Sequence, residues 1–301
     1  MSRPHVVAPS ELSALRDLDL VTRRTVEGLR HGLHRSPFHG YNAEFSQYRH
    51  YRPGDDLKYV DWKVFGRTDR LYSRQFRETT NLAALFVIDI SRSMDYPAGS
   101  NSKFDLARST AAILTALVID QGDAAGLLAV ADPGGSGTAS THYVAPRSGR
   151  HHLRVQLAAL ARLAPGGTEG VAPALRQVPN LLRRRGLVVI LSDFYEEEVV
   201  LTEVRRLARM GHDVVIVHVV AREELTLPRG GAVEFVDLES GCTLLASPDA
   251  IAAEYLSAFQ AFASRVRQAI EREGLDYLRL VTHEPLERAL RRFLVARRGE
   301  R

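Results

Sequence analysis

The sequence predicts an α/β protein: a doubly wound, mostly parallel sheet flanked by helices, with an N-terminal helical and irregular or β-rich extension. Three observations carry that prediction. Continuous apolar runs such as "LAALFVIDI", "LVVILSD" and "DVVIVHVV" are of the kind a parallel sheet buries on both faces. Helix-period segments alternate with these runs from about residue 80 to the end. Two of the runs stop on aspartates, Asp89 and Asp193, at the carboxyl ends of strands, where open α/β sheets bind ligands.

The elements follow in order. Leu12, Leu15, Leu18, Leu29 and Leu33 recur at helical intervals and predict an amphipathic helix over 10–33, capped by Ser10 and broken near Gly28. Residues 34–80 are polar, aromatic and turn-rich, with a strand-like piece at "RLYSRQF". "LAALFVIDI" is the first buried strand, "KFDLARSTAAILTALVIDQ" a helix and "AAGLLAVAD" the second strand; a glycine-rich loop then leads to the short strand "THYVAP". Helices are expected over 151–163 and 170–184, the second interrupted at Pro179. Strand "LVVILSD", helix 197–210, strand "DVVIVHVV", a short strand near "AVEFVDL" and a long helix over 249–273 come next. "YLRLVT" and a helix begun by Pro285 close the pattern; proline suits a first helical turn because no backbone donor is needed there. The domain reading is 1–80 as a lead-in packed on the main domain and 81–301 as the α/β domain.

Composition narrows the function. A single cysteine, Cys242, excludes an internal disulfide and thiolate-rich metal sites, and is compatible with a reducing compartment. The N-terminal "MSRPHVVAPS" lacks a secretory apolar stretch, and no run is long enough to span a bilayer, so no membrane insertion is expected. The expected location is cytoplasmic, with peripheral association to a membrane complex left open. The formal charge of +4 is mild, and basic residues are scattered among acids, so charge alone argues little for nucleic acid. All 40 basic side chains are arginine except Lys58, Lys63 and Lys103.

After Asp89 the chain reads Ile90, Ser91, Arg92, Ser93. Alternation lets Asp89, Ser91 and Ser93 converge while Ile90 faces the core; Met94 reads as packing. In "LAPGGTEG", paired glycines precede Thr168, which reads either as part of the same site or as the cap of the next helix. Two carboxylates and three hydroxyls make an all-oxygen set for a hard cation. Mg²⁺ takes six oxygens at roughly 2.1 Å and keeps waters, and Mn²⁺ fits the same chemistry. With so few charges in the set, a coordination position stays attractive to an incoming Asp or Glu, which describes adhesion better than hydrolysis.

At these residues the sequence resembles the von Willebrand factor A-type domain and its metal-ion-dependent adhesion site. "DISRS" supplies Asp89, Ser91 and Ser93, "GGTEG" supplies Thr168 and "LSDF" supplies Asp193. "EFSQYRHYRPGDDLKYVDWKVFGRTDRLYSRQF" followed by "VIDISRSM" also resembles the bacterial family called domain of unknown function 58. That resemblance implies a noncatalytic adaptor or chaperone partner of a MoxR-type AAA+ ATPase. It also implies Mg²⁺ or Mn²⁺ at Asp89, Ser91, Ser93, Thr168 and Asp193, and a protein partner presenting an acidic side chain.

Alternatives from other classes are weaker. A metal-dependent phosphohydrolase of the Asp-x-Asp type would need an acid where Ser91 stands, and "DISRS" is not a Gly-x-Ser-x-Gly elbow. Nucleic-acid binding would fall to the Arg and aromatic residues of 35–77, which hold no named recognition motif. There is no phosphate-binding Gly-x-x-x-x-Gly-Lys-Ser/Thr loop, and no specific small-molecule ligand is expected. Asp55 and Asp61 are candidate acceptors for Arg67 or Arg74, and Trp62 is expected to cover a sheet edge or to anchor an interface. His151 and His152 are expected to face solvent, and His218 to be a satisfied core or edge residue.

Overall fold

The computed structural model describes residues 9–30, 43–52, 60–78, 82–99, 101–131, 140–167, 170–227 and 230–299. These form two compact units, Met1–Pro37 with Ala83–Arg301, and Phe38–Leu82. The chain opens with α1 (Pro9–Arg30) in the larger unit. The smaller unit holds β1 (Ala43–His50), α2 (Trp62–Thr68) and β2 (Tyr72–Glu78). Back in the larger unit come β3 (Ala83–Ile88), a 3₁₀ turn (Arg92–Asp95), α3 (Lys103–Asp120), β4 (Ala124–Ala131), β5 (Ser140–Arg147), α4 (Arg150–Arg162) and α5 (Ala172–Leu181). Then follow β6 (Leu187–Ser192), α6 (Glu197–Arg209), β7 (Asp213–Val220), α7 (Arg222–Leu225), β8 (Val233–Val236), β9 (Thr243–Ala246), α8 (Pro248–Arg272), β10 (Asp276–Val281) and α9 (Leu286–Gly299).

In the smaller unit β1 and β2 pair antiparallel. Asp61 caps α2, accepting the Lys63 and Val64 amides at 3.0 and 3.2 Å and the Tyr48 hydroxyl at 2.9 Å. Trp62 is 59% exposed, its ring edge-on to Phe65 at 6.2 Å.

The larger unit is built on a six-stranded sheet in the order β10-β7-β6-β3-β4-β5. All neighbours are parallel except β5, which runs antiparallel to β4 and makes the sheet mixed. Strand faces alternate. Leu85 and Val87 of β3, Val188 and Ile190 of β6 and Val214 and Ile216 of β7 pack with α5, α6 and α8 in one buried cluster. α3 crosses the opposite face, with α1 and α4 against it. Buried Arg297 of α9 reaches Asp213 and Asp276, tying that helix to the starts of β7 and β10.

Several elements depart from the sequence expectation. α1 starts at Pro9, so Ser10 lies inside it, and it runs unbroken through Gly28. There α1 lies against α9: the Gly28 carbonyl accepts the Arg291 guanidinium at 2.7 Å, and a Cβ would meet the movable end of the Glu287 side chain at 2.6 Å. The short strand expected near "AVEFVDL" is present, outside the main sheet. It is β8, which pairs antiparallel with β9 in a hairpin of its own. His151 is exposed as expected, but His152 is buried and donates from Nε2 to the Ala125 carbonyl at 2.8 Å. His218 is a satisfied core residue, its Nδ1 2.8 Å from the Tyr277 hydroxyl.

Among the described residues no helix is long and apolar enough to cross a membrane.

Candidate metal centre

The chain passes from β3 to β4 on one side of the sheet and returns to β6 on the other, so order reverses between β3 and β6. Crevices at such a reversal, beyond the strand carboxyl ends, are where doubly wound sheets bind ligands. Asp89 follows β3 and Asp193 follows β6, each clear of its strand's hydrophobic run. The strands are in register up to Ile88 and Leu191, and the Asp89 amide donates to the Leu191 carbonyl at 2.9 Å.

The Asp89 loop folds on itself. Asp89 Oδ1 accepts the Ser91 amide at 2.9 Å, which turns the chain and brings Ser91 Oγ within 3.0 Å of Ser93 Oγ. Ile90 and Met94 point into the core, both buried. The second carboxylate oxygen, Asp89 Oδ2, accepts the Ser192 hydroxyl at 2.6 Å, and Ser192 Oγ in turn accepts the Phe194 amide at 3.0 Å. Phe194 holds a left-handed backbone, φ 60°, an uncommon state for a bulky residue that turns the chain just past Asp193.

The glycine pair docks on the same loop. The Gly166 and Gly167 amides donate to the Ile90 carbonyl at 2.9 and 3.0 Å, and the Arg92 amide donates to the Gly167 carbonyl at 2.9 Å. Gly170 lines the same cavity as Asp89, Ser91, Ser93, Asp193 and Glu239. Thr168 itself lies outside the described residues. Four of the five residues singled out from sequence therefore meet at one cavity of about 40 Å³. A water needs roughly 10–15 Å³ of such space, so the volume suits a cation with one or two waters. A larger groove of about 930 Å³, between α8, β10 and α9, holds none of them.

Electrostatics mark the site as short of positive charge. Burial, then the charge of Asp193, pushes the Asp89 carboxyl up to about 7, against the bonds from Ser192 and Ser91. Lys103, fully buried at the start of α3, bonds Asp193 Oδ2 at 2.9 Å and Glu224 Oε1 at 2.6 Å. Burial alone would lower its pKa, but the two carboxylates outweigh that and hold it above its ordinary value. Glu224 also accepts the Tyr195 hydroxyl at 2.6 Å, and its Oε2 accepts the Ala221 amide at 2.7 Å. Lys103 thus compensates Asp193 and Glu224, and Asp89 keeps no cationic partner among the described hydrogen bonds.

The donor set fits a hard divalent cation: carboxylates and hydroxyls, with no thiolate or thioether at the cavity. Among the described residues, no three His, Cys, Asp or Glu side chains gather as a metal-holding group, so hydroxyl donors have to supply part of any shell. Sequence reasoning missed Ser192, Lys103, Glu224 and Glu239. Only Lys103 carried a signal, as a rare lysine in an arginine-rich chain. Arg could not replace a compact ammonium between two buried carboxylates without added volume.

Comparison with known proteins places these residues in a family. The chain is 32% identical over 302 aligned residues to uncharacterized protein Rv1480 of Mycobacterium tuberculosis (strain ATCC 25618 / H37Rv), covering 99% of this chain and 93% of the relative. The same values hold for uncharacterized protein Mb1516 of Mycobacterium bovis. Among solved structures, the conserved hypothetical protein BatB from Bacteroides thetaiotaomicron aligns over 72% of this chain and 99% of its own, with 17% identity and a TM-score of 0.46. An aerotolerance-related membrane protein from Bacteroides fragilis aligns over 73% of this chain and 100% of its own, with 14% identity and a TM-score of 0.45. The family model "Protein of unknown function DUF58" matches residues 47–267, and the chain belongs to that family.

Proposed function

We propose that this protein is a noncatalytic interaction module whose adhesion point is a divalent cation, Mg²⁺ or Mn²⁺. The residues that would hold it are Asp89, Ser91, Ser93, Thr168 and Asp193. When bound, the cation supplies a positive centre for a carboxylate of a partner protein. The observation that carries the reading is the meeting of Asp89, Ser91, Ser93 and Asp193 at one small polar cavity beyond β3 and β6.

This chain's own residues perform the preparatory work. Ser192 orients Asp89, the Ser91 amide fixes the other carboxylate oxygen, and Lys103 holds Asp193. The small volume supports adhesion over turnover. Small-molecule sites run to roughly 300–1,000 Å³, whereas this cavity is about 40 Å³. A side-chain carboxylate reaching in from a partner needs no such space. The partner proposed, on the family resemblance alone, is a MoxR-type AAA+ ATPase, with this chain as its adaptor in protein assembly or maturation.

Affinity capture with the tagged full chain tests this, first in Mg²⁺ and then in chelator, for wild type and Asp89→Ala. The ATPase is expected to be retained by wild type in Mg²⁺ and released by chelator, and absent with Asp89→Ala. Equal retention by both proteins in excess chelator would defeat the proposal.

A further inference from the structure

Glu239 lies at the tip of the β8–β9 hairpin, far in sequence from the strand ends, yet it lines the same cavity as Asp89, Ser91, Ser93 and Asp193. The tip is preorganised. Asp237 accepts the Glu239 amide at 3.0 Å and the Ser240 hydroxyl at 2.6 Å. The Gly241 amide donates back to the Asp237 carbonyl at 2.8 Å, with Gly241 at φ 73°, a region glycine enters freely.

The two oxygens of Glu239 have different surroundings. Oε1 accepts the Ser93 amide at 2.9 Å, while Oε2 is buried and has no partner among the described residues. A buried acceptor without a donor is penalised, so each such oxygen calls for an account. Here one oxygen anchors the side chain to the Ser93 loop, the other has no donor among the described residues, and the residue lines the cavity.

We propose that Glu239 is the chain's own acidic ligand: on cation binding its free Oε2 moves in to close the shell, a third carboxylate that the described geometry does not yet gather with Asp89 and Asp193, and the β8–β9 hairpin stands where an acidic partner docks. The proposal rests on the reading of Asp89, Ser91, Ser93 and Asp193 as a cation site. Docking then means exchange of one carboxylate for another, with the hairpin moving aside. The hairpin is built lightly enough for that. Its strands are four residues each, an isolated two-stranded ribbon is marginal, and Leu244 and Leu245 are 64% and 72% exposed. Because the internal carboxylate is tethered at high effective concentration, only a partner that also contacts other surface displaces it.

Mn²⁺ titration of the full chain, followed by water-proton relaxation, tests the assignment. The comparison takes wild type, Glu239→Ala, Glu239→Gln and Asp89→Asn. Glu239→Ala is expected to bind Mn²⁺ roughly 10-fold more weakly. Relaxation enhancement per bound ion is expected to rise as water takes the carboxylate's place. Glu239→Gln, which keeps an acceptor for the Ser93 amide, guards against a collapsed loop and is expected to lose affinity as well. Unchanged enhancement in Glu239→Ala overturns the proposal, whatever happens to affinity. A fluorophore on Cys242, the sole and exposed cysteine three positions along, gives a second readout. Mn²⁺ should slow its rotation in wild type but not in Glu239→Ala; an equal response in both overturns the capping role. If Mn²⁺ fails to bind wild type, or binds Asp89→Asn as well, the cation site itself is wrong and this proposal falls with it.

Discussion

The Ser192 hydroxyl donates to Asp89 Oδ2 at 2.6 Å across a separation of 103 residues. It joins the end of β6 to the end of β3, and Ser192 Oγ in turn accepts the Phe194 amide. Ser192→Ala leaves a buried carboxylate oxygen and a buried amide short of partners. The expected loss is about 1–3 kcal/mol in urea unfolding, together with weaker Mg²⁺ stabilisation. A variant as stable as wild type would show that the Asp89 loop needs no support from β6.

Asp89 itself trades stability for charge. Its carboxyl is buried, repelled by Asp193 and pushed up to about 7. Asp89→Asn removes that penalty, so thermal unfolding in chelator at pH 7.5 is expected to occur a few degrees above wild type. A gain of about 1 kcal/mol corresponds to roughly 2–4 °C at this size. Added Mg²⁺ should reverse the ranking, raising wild type alone; at 100-fold over Kd the gain is about 2.7 kcal/mol. A variant less stable than wild type in chelator would refute the account of Asp89 as an uncompensated charge.

Lys103 presents the opposite case. It is fully buried between Asp193 and Glu224, at 2.9 and 2.6 Å. Lys103→Met keeps the volume and strands two carboxylates, so a loss of about 3–5 kcal/mol is expected from chemical denaturation. The triple variant in which Asp193 and Glu224 also become Asn and Gln should recover much of it. If the single substitution is neutral, the ion triad contributes nothing net.

His218 contributes a pH dependence opposite in sign to that of Asp89. Burial, chiefly, holds its imidazole down to about 4 from an ordinary 6.5, with Arg279 and Lys103 adding to the effect and Asp193 opposing it. The unfolded chain therefore takes up a proton before the folded one does. Stability from this residue is present above pH 6.5 and is lost as pH falls toward 4, by about 3 kcal/mol in total. His218→Phe should remove that component, and the difference between the two proteins' unfolding free energies at pH 7 and pH 4 measures it. A pH-independent difference would place the histidine's titration elsewhere.

The sheet and its mouth were legible because their signals are local. Apolar runs ending on Asp89 and Asp193 need no partner to be recognised, and the alternation of Asp89, Ser91 and Ser93 is a property of a few consecutive residues. What escaped depends on distance. Val233–Val236 has the same alternating character as a sheet strand, and only its pairing with Thr243–Ala246 shows that it belongs to a separate hairpin. His152 looks like any solvent-facing residue on a helix's first turn until the Ala125 carbonyl is found 2.8 Å from its ring. Gly28 reads as a helix breaker until α1 is seen to run through it, with its carbonyl held by Arg291 of α9. Glu239 has no local signal at all, because its meaning lies in Ser93, 146 residues earlier.

The reversal of strand order between β3 and β6 has a consequence for how the molecule is made. On the ribosome, the wall carrying Asp89 emerges about a hundred residues before the one carrying Asp193, and the hairpin tip later still. On the proposed reading no cation would template the early chain, since its seat would form only once β6 has slotted beside β3. Occupancy would then act as a certificate of completed topology, available to a partner that must tell a finished molecule from a nascent one.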